Sequence, residues 1–171
     1  MSNLSSISNI KTSLIIKDIN LDLTQFTLKK FQNFCVLQNK FTYIIFKKSK
    51  TKLTHINITK IRSFCEIDVS INYFFELFKI PFSYFHSMSI DNITVTGKVD
   101  RKVNLLDFIQ KNSDLSISHN PEKFPGLFIK FIGKGTLILF SSGSYVIIGA
   151  KSKEFITSIH NTLETKLNNV L

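Results

Sequence analysis

Residues 121–151 read PEKFPGLFIKFIGKGTLILFSSGSYVIIGAK, and this stretch decides the fold. Three short apolar runs lie within it, namely Leu127–Ile132, Thr136–Phe140 and Tyr145–Ile148, separated by the segments GKG and SSGS. Glycine-bearing connections of this length are typical of β-hairpins. The stretch therefore predicts neighbouring antiparallel strands.

The first half of the chain contains a fainter copy of the same order. The segment ISNI at Ile7–Ile10 recurs 83 residues later as IDNI at Ile90–Ile93, which is the mark of an internal repeat. Both copies lie in alternating apolar runs that predict strands, Ile7–Ile16 and Ile90–Val99. The further strands predicted in the first half are Phe34–Leu37, Phe41–Phe46 and Leu53–Ile58.

Apolar residues at helical spacing follow each opening strand and close each half. The predicted helices are Leu21–Phe31, Phe64–Phe78, Asn104–Lys111 and Ser152–Leu167. We expect Asn104 to cap its helix and Pro81 to end the second one. The residues expected to face the sheet from the third helix are Leu105, Leu106, Phe108 and Ile109.

The order in each half is strand, helix, strands, helix. Strands joined by tight turns predict an antiparallel sheet with helices packed on one face, which is an α+β fold. Since neither half has a complete core, we expect repeats at residues 1–86 and 87–171 to join into one compact, pseudo-symmetric domain with a continuous sheet.

Charge favours a polyanionic partner such as DNA, because the net charge is +10, from 22 basic and 12 acidic side chains. The excess is +7 over residues 1–80 and +3 over residues 81–171. The abundance of Phe, Asn, Ile and Lys is typical of an AT-rich genome. It indicates a large DNA virus or an AT-rich microbe as the source.

Several classes of protein do not fit the sequence. Cys35 and Cys65 lack metal-ligand spacing, and there is no glycine-rich phosphate loop. The histidines, which have no acid or nucleophile at a telling spacing, are His55, His86, His119 and His160. No signal peptide or run of ~20 apolar residues is evident. We expect a reduced intracellular protein that is not an enzyme and has no metal, cofactor, small-molecule substrate or membrane partner.

Three ordered motifs resemble the TATA-binding protein family: Pro121–Leu127 (PEKFPGL), Leu137–Gly143 (LILFSSG) and Gly149–Lys151 (GAK). In the first half, Asn9-Ile10 and Leu21–Leu23 are similar to the family's opening strand and first helix. The resemblance implies a two-repeat saddle, which is a curved, continuous antiparallel sheet with helices on its convex face. Its concave face would lie on the DNA minor groove.

The resemblance also implies phenylalanine wedges that enter between base steps, one pair from each repeat. Phe124 and Phe140 match the wedge positions of the second repeat, and Phe34 and Phe46 are the expected equivalents in the first. The alternative is that these are ordinary core or turn residues of a phenylalanine-rich chain.

Base contacts are implied at Asn9 and Asn92, because a carboxamide can donate to the acceptors of the minor groove. The alternative for both is an asparagine at a strand turn. The other expected base contacts are Val146, Ile148, Leu127 and Pro125. Three positions depart from the family, because Ile148 replaces a threonine, and Lys11 and Thr94 replace valines. These departures put strict TATA specificity in doubt.

Cations that could flank the groove occur in both halves. The candidate phosphate contacts are Lys134, Lys151, Lys153, Lys47, Lys48, Lys50, Lys52, Lys60 and Arg62. For each of them, the alternative is a solvated surface charge. Glu122 and Lys123 match the part of the family that meets a general transcription factor, although Lys123 replaces an apolar residue.

The sequence thus predicts a transcription initiation factor that binds and bends A·T-rich promoter DNA and recruits transcription factors or RNA polymerase components. The alternative is a saddle-fold interaction module, in a transcription or virion assembly, that has lost DNA binding. An unrelated α+β protein with chance motifs is a third possibility. The expected compartment is the nucleus, or a cytoplasmic viral factory or virion, and both monomer and dimer stay open.

Overall fold

The structure, a computed structural model, describes residues 5–47 and 51–169. The chain divides into two compact units. We call Asn9–Asp91 the first unit, and Asn92–Leu171 together with Met1–Ser8 the second unit. The sequence predicted a boundary between residues 86 and 87, whereas these units divide between Asp91 and Asn92 and also between Ser8 and Asn9.

The first unit is a mostly antiparallel arrangement of strands with one helix on its core side. The elements are β1 (Ser5–Lys17), β2 (Lys29–Lys30), β3 (Phe34–Gln38), β4 (Thr42–Phe46), β5 (Leu53–Ile61) and helix α1 (Cys65–Leu77). All pairings are antiparallel, in the order β2-β3-β4-β5-β1. Tyr43 is fully buried and its hydroxyl donates to the carbonyl of Ser70 in α1 at 2.8 Å. Burial raises the pKa of Tyr43.

The second unit repeats this arrangement. Its elements are the end of β6 (Phe85–Lys98), helix α2 (Leu105–Lys111), β7 (Ser116–Ser118), β8 (Leu127–Phe131), β9 (Gly135–Leu139), β10 (Ser144–Ala150) and helix α3 (Lys153–Asn168). The strand order is β6-β10-β9-β8-β7. Buried Leu137 and Ile147 form the core side of the sheet, and Ile159 and Leu163 of α3 are buried. The α+β class predicted from the sequence is confirmed.

Strand pairing gives a residue-by-residue correspondence between the units. Leu14 pairs with Ile56 in the first unit, and Gly97 pairs with Tyr145 at the matching position of the second. A Cβ atom added to Gly97 would lie 2.3 Å from the Tyr145 ring. Both pairs fill the same site in the core. Two aliphatic side chains fill it in the first unit, whereas in the second unit the Tyr145 ring fills it and Gly97 has no side chain.

The predicted helix Leu21–Phe31 is wrong, because this segment forms turns followed by β2. The Asp22 carboxylate accepts hydrogen bonds from both the backbone N–H and the hydroxyl of Thr24. Such a local side-chain turn competes with helical hydrogen bonding. The ring of Phe26 then packs on that of Phe78 at 5.0 Å. The first unit therefore has a loop where the second has α2.

The predicted cap of the third helix is confirmed. The Asn104 carboxamide oxygen accepts from the N–H groups of Leu106 and Asp107 at 3.1 and 3.3 Å. The expectation that Leu106 faces the sheet is wrong, since its side chain is 65% exposed, whereas Phe108 is fully buried. Among the described residues, no helix has both the length and the apolar character that crossing a membrane requires.

Candidate nucleic-acid interface

In each unit the sheet face away from the helix carries exposed aromatic rings. In the second unit, Phe124 and Phe140 have ring centroids 5.9 Å apart, and Phe124 is 38% exposed. Gly126 makes this pair possible, because a Cβ there would lie 2.6 Å from the Phe124 ring and 3.1 Å from the Phe140 ring. The two rings thus close over a backbone that has no side chain beneath them.

The first unit has a pair with the same separation but a different origin. Phe34 lies opposite Phe46 in the β3–β4 ladder, and their centroids are also 5.9 Å apart. Counting from this ladder, Phe34 occupies the position of Gly126 rather than that of Phe124. The two rings predicted for the first unit therefore lie close together. Phe34, however, belongs to strand β3 itself, whereas Phe124 lies in the loop before β8.

Phe31 is a third ring that the sequence did not single out. Its ring stacks on Phe34 at 4.7 Å, and its side chain is 50% exposed. The turn that holds it is closed by a hydrogen bond from the Phe31 N–H to the Phe34 carbonyl at 2.9 Å. Phe31 was missed because the segment was predicted as a helix, in which its side chain would not lie beside Phe34.

Asn9 and Asn92 occupy matching positions, each beside a bulge in the neighbouring strand. The Asn9 carboxamide oxygen accepts from the N–H of Lys60 at 2.9 Å, and that of Asn92 accepts from the N–H of Gly149 at 2.6 Å. Lys60 and Gly149 both have positive φ, 66° and 78°. Fixing the oxygen on the backbone leaves the Nδ2 amine as the remaining hydrogen-bond donor of each carboxamide. In Asn92 this amine also donates to the Thr94 hydroxyl at 3.2 Å, which leaves it one further hydrogen to donate.

The outward face of the second unit is mostly apolar. Val146 is half-buried and Ile148 is 36% exposed. Pro125 is exposed beside the aromatic pair. The expected base contact from Leu127 is wrong as a side-chain contact, because Leu127 is fully buried in the core. Strand alternation places its neighbour Phe128 on the outward face instead, in contact with Phe124 at 5.2 Å.

The corresponding face of the first unit is more polar. Thr59 lies at the position of Ile148, so the threonine that the second unit lacks occurs in the first. Asn57 lies at the position of Val146, and Ser13 donates to its carboxamide oxygen at 3.0 Å. Neither residue was predicted, because the repeats differ in the lengths of their connecting segments: matching residues are 83 positions apart in β1 and β6 but 89 apart in β5 and β10.

The predicted phosphate-contacting cations lie in different surroundings. The Lys134 ammonium donates to the Ser158 hydroxyl of α3 at 2.9 Å, so it lies on the helix side of the sheet and does not fit the predicted role. Lys151 is exposed at the end of β10, and Lys153 begins α3. Of the candidates in the first unit, those that are described and exposed are Lys47, Lys52, Lys60 and Arg62. Lys48 and Lys50 lie outside the described residues.

An apolar pocket of about 280 Å³ borders the first aromatic cluster, between the loop and the β3–β4 hairpin. Phe31, Phe34 and Cys35 line it, together with Leu23 and Leu28. Burial raises the pKa of the Cys35 thiol, against the opposing effect of Lys30 and Lys47. The thiol is therefore held in its protonated form, which is the less nucleophilic one.

Glu122 and Lys123, the expected partner contacts, are both exposed. They lie in a turn closed by hydrogen bonds from the Lys123 and Phe124 N–H groups to the Asn120 carbonyl, at 3.1 and 2.9 Å. This turn directly precedes the second aromatic pair. Within residues 5–47 and 51–169, no three His, Cys, Asp or Glu side chains gather closely enough to hold a metal ion.

Comparison with known families finds a match over residues 87–170, to the model described as transcription factor TFIID, or TATA-binding protein. The matched region contains the whole second aromatic pair, Asn92 and the Gly149 bulge. The TATA-box-binding protein of Pyrodictium occultum is 40% identical over 65 residues, which are 37% of this chain and 32% of that protein.

The TATA-box-binding protein of Sulfurisphaera tokodaii is 31% identical over 80 residues, or 46% of this chain and 39% of that protein. The alignments thus span only about a third to two fifths of these relatives' length. Among solved structures, Methanococcus jannaschii TBP has a TM-score of 0.73 at 22% identity, and the match covers 97% of both chains. This likeness shows that the two chains share a fold.

Proposed function

We propose that the chain is a divergent member of the TATA-binding protein family, whose model it matches over residues 87–170, and that it is a transcription initiation factor. It binds A·T-rich promoter DNA in the minor groove and bends it by inserting phenylalanine rings. The observation that carries the proposal is the Phe124–Phe140 pair, held open to solvent over Gly126.

The aromatic pairs supply the insertion. TATA-binding proteins are themselves the standard example of proteins that wedge apolar side chains between base steps and kink the duplex. A ring replaces part of the stacking that the kink removes. Phe124 and Phe140 do this from the second unit, and Phe34 and Phe46 from the first, with Phe31 as an outer ring stacked on Phe34.

Asn9 and Asn92 supply the contacts to base edges. The minor groove of an A·T pair presents only acceptors, adenine N3 and thymine O2. The Nδ2 amine is the matching donor, because the hydrogen bonds from the Lys60 and Gly149 N–H groups occupy the oxygen of each carboxamide. Since both orientations of an A·T pair present acceptors at similar positions, these contacts select A·T-rich sequence without reading its direction.

Phosphate contacts supply salt-dependent affinity. Lys151 and Lys153 flank the second sheet, and Lys47, Lys52, Lys60 and Arg62 flank the first. Neutralising one phosphate releases condensed counterions and contributes a slope of about −0.9 in the plot of log affinity against log salt. Recruitment of transcription factors or polymerase components falls to the exposed turn at Glu122 and Lys123 and to the outer surface of α1. The expected compartment is the one in which transcription occurs, whether nucleus or viral factory.

The test is binding to an A·T-rich duplex, measured by fluorescence anisotropy between about 50 and 200 mM salt. Lys151→Ala should reduce the salt slope by about 0.9, whereas Lys134→Ala, the matched control, should leave it unchanged because that ammonium is engaged by Ser158. Absence of duplex affinity in the wild-type protein at the lowest salt would overturn the proposal.

A second candidate function is a protein-interaction module without DNA binding. It is favoured by an aromatic surface after α1, where Phe82 is 57% exposed and stacks on Phe85 at 5.1 Å. The buried ring of Phe75 supports Phe82 from beneath, at 5.1 Å. Under this alternative, Phe82→Ala would abolish partner capture, and Phe124→Ala/Phe140→Ala would have no phenotype in transcription.

A further inference from the structure

We propose that the outward face of the first unit accepts a G·C base pair, through Asp91 and Asn57, within a site that is otherwise A·T-rich. The inference rests on the proposed minor-groove binding and deepens it, because it names a base pair that the two asparagines alone would not select. The observation that supports it is the Asp91 carboxylate on this face. A surface that contacts only A·T pairs gains no hydrogen bond from a carboxylate.

Asp91 lies on the outward face of the sheet. Its carboxylate accepts a hydrogen bond from the Ser13 hydroxyl at 2.6 Å and lies 3.9 Å from the Lys11 ammonium. Lys11 and Ser13 alternate along β1 with the fully buried Ile10, Thr12 and Leu14, so their side chains point away from the core. Ser89 also approaches the second carboxylate oxygen, at 3.4 Å.

Asn57 extends this polar cluster onto β5. It lies directly opposite Ser13 in the β1–β5 ladder, and the Ser13 hydroxyl is 3.0 Å from its carboxamide oxygen. The Ser13 hydroxyl lies within hydrogen-bonding distance of both oxygens, with the shorter contact to Asp91, and a carboxamide oxygen has two lone pairs. The Asn57 oxygen therefore keeps acceptor capacity toward the outward side.

Minor-groove chemistry determines which base such acceptors fit. Adenine N3 and thymine O2 are acceptors, and the guanine 2-amino group is the hydrogen-bond donor that a base pair can present there. An ionised carboxylate has acceptor sites only. Against an A·T pair Asp91 would be desolvated beside other acceptors, whereas against a G·C pair it receives a charge-assisted hydrogen bond.

The second unit lacks this chemistry at each matching position. Val146 stands in place of Asn57, and Thr96 in place of Ser13. Ser8, which precedes Asn9 as Asp91 precedes Asn92, has a hydroxyl that donates to the Thr94 carbonyl at 3.1 Å. The tolerance for G·C should therefore be confined to the half of the site that the first unit contacts.

Lys11 makes the carboxylate compatible with DNA. It lies 3.9 Å from Asp91 and is itself partly exposed, so it offsets the repulsion between that carboxylate and the nearby phosphates. The departure from an apolar residue at position 11 thus places a cation beside the acid at position 91.

Inosine provides the decisive comparison, because an inosine–cytosine pair lacks the guanine 2-amino group and is otherwise the same in the minor groove. A panel of A·T-rich duplexes carries one G·C pair at each position in turn, and a second panel carries inosine–cytosine there. Anisotropy should show, at one position in one half of the site, binding about tenfold tighter to guanine than to inosine.

Two substitutions replace Asp91 and Asn57 by the residue types of their counterparts in the second unit, Ser8 and Val146. Asp91→Ser combined with Asn57→Val should abolish the preference for guanine over inosine and raise affinity for the all-A·T duplex. Asp91→Asn retains an acceptor oxygen and should keep part of the preference. Equal or tighter binding to inosine at every position, with all-A·T binding intact, would overturn this inference alone. Absence of binding to the all-A·T duplex would overturn the proposed function, and the inference with it.

Discussion

The two aromatic clusters reach the same geometry from different backbones. In the second unit a loop residue, Phe124, folds back over Gly126 to meet Phe140. In the first unit Phe34 stands on the strand at the position of Gly126, and Phe31 stacks outside it. Both central pairs are separated by 5.9 Å. The spacing of the rings is therefore what the two repeats share, whereas the residues that produce it differ.

The outward sheet faces of the two units differ more than their aromatic clusters do, because one is apolar and the other polar. The second unit presents Val146 and Ile148, and the first presents Asn57 and Thr59 at the same positions, with Lys11 and Asp91 beside them. An apolar face excludes water and fits any A·T pair, whereas a polar one requires its hydrogen bonds to be matched. Under the proposed function, the first unit is therefore expected to contact the half of the DNA site whose sequence is more restricted.

The largest expected effect concerns the core pair that differs between the units. Gly97→Leu should destabilise the protein by about 3 kcal/mol or more, because even a Cβ at this position overlaps the Tyr145 ring. Adding Tyr145→Ile recreates the Leu14–Ile56 pair of the first unit and should restore most of the loss. Urea denaturation of the three proteins measures both effects. If Gly97→Leu alone were as stable as wild type, the correspondence of the two cores would be contradicted.

A smaller effect is expected at the second aromatic pair. Gly126→Ala places a methyl group 2.6 Å from the Phe124 ring and 2.7 Å from Ile138, so it should push Phe124 out of place. We expect DNA affinity to fall about tenfold, with a loss of about 1–3 kcal/mol in stability.

The matched control for this substitution is Gly126→Ala made in a Phe124→Ala background. The clash with the Phe124 ring is then removed, although Ile138 still lies 2.7 Å from the methyl group. The substitution should therefore cost little further affinity, while some loss of stability remains. Additive losses in the double variant would show that Gly126 acts independently of the ring above it.

The smallest effect is expected at the two bulges. Lys60 adopts a φ of 66°, which costs an L-residue about 1–2 kcal/mol relative to glycine, whereas the matching residue of the second unit is Gly149. Lys60→Gly should therefore stabilise the first unit by about 0.5–1 kcal/mol after the added chain entropy of glycine. Gly149→Lys should destabilise the second by about 1–2 kcal/mol. Thermal unfolding detects both, and shifts of the same sign would contradict the matching of the bulges.

Sequence patterns predicted the strands and closing helices well, because alternation and glycine-bearing turns are local signals. Asn104 was recognised as a cap for the same reason. The helix expected at Leu21–Phe31 was wrong because its apolar spacing was helical, while Asp22 and Thr24 formed a competing turn that spacing does not record. Tertiary packing of Phe26 on Phe78 then fixed the loop.

The site was predicted less completely than the fold. Phe124, Phe140, Phe46 and the two asparagines lie on outward faces, as the motifs indicated. Leu127 and Lys134 were assigned to the interface from sequence proximity, yet the alternation of β8 buries the first and Ser158 holds the second. Asn57 and Thr59 were missed because the spacing between matching residues changes from one strand to another, which only strand pairing reveals.

The central claim is that the exposed phenylalanine pairs bend DNA, and the most direct test is energy transfer between dyes at the two ends of an A·T-rich duplex. Wild-type protein should bring the ends closer. Phe124→Ala/Phe140→Ala should abolish most of this change, and Phe34→Ala/Phe46→Ala should reduce it less. Binding that leaves the end-to-end distance unchanged, or bending that survives loss of Phe124 and Phe140, would contradict the account.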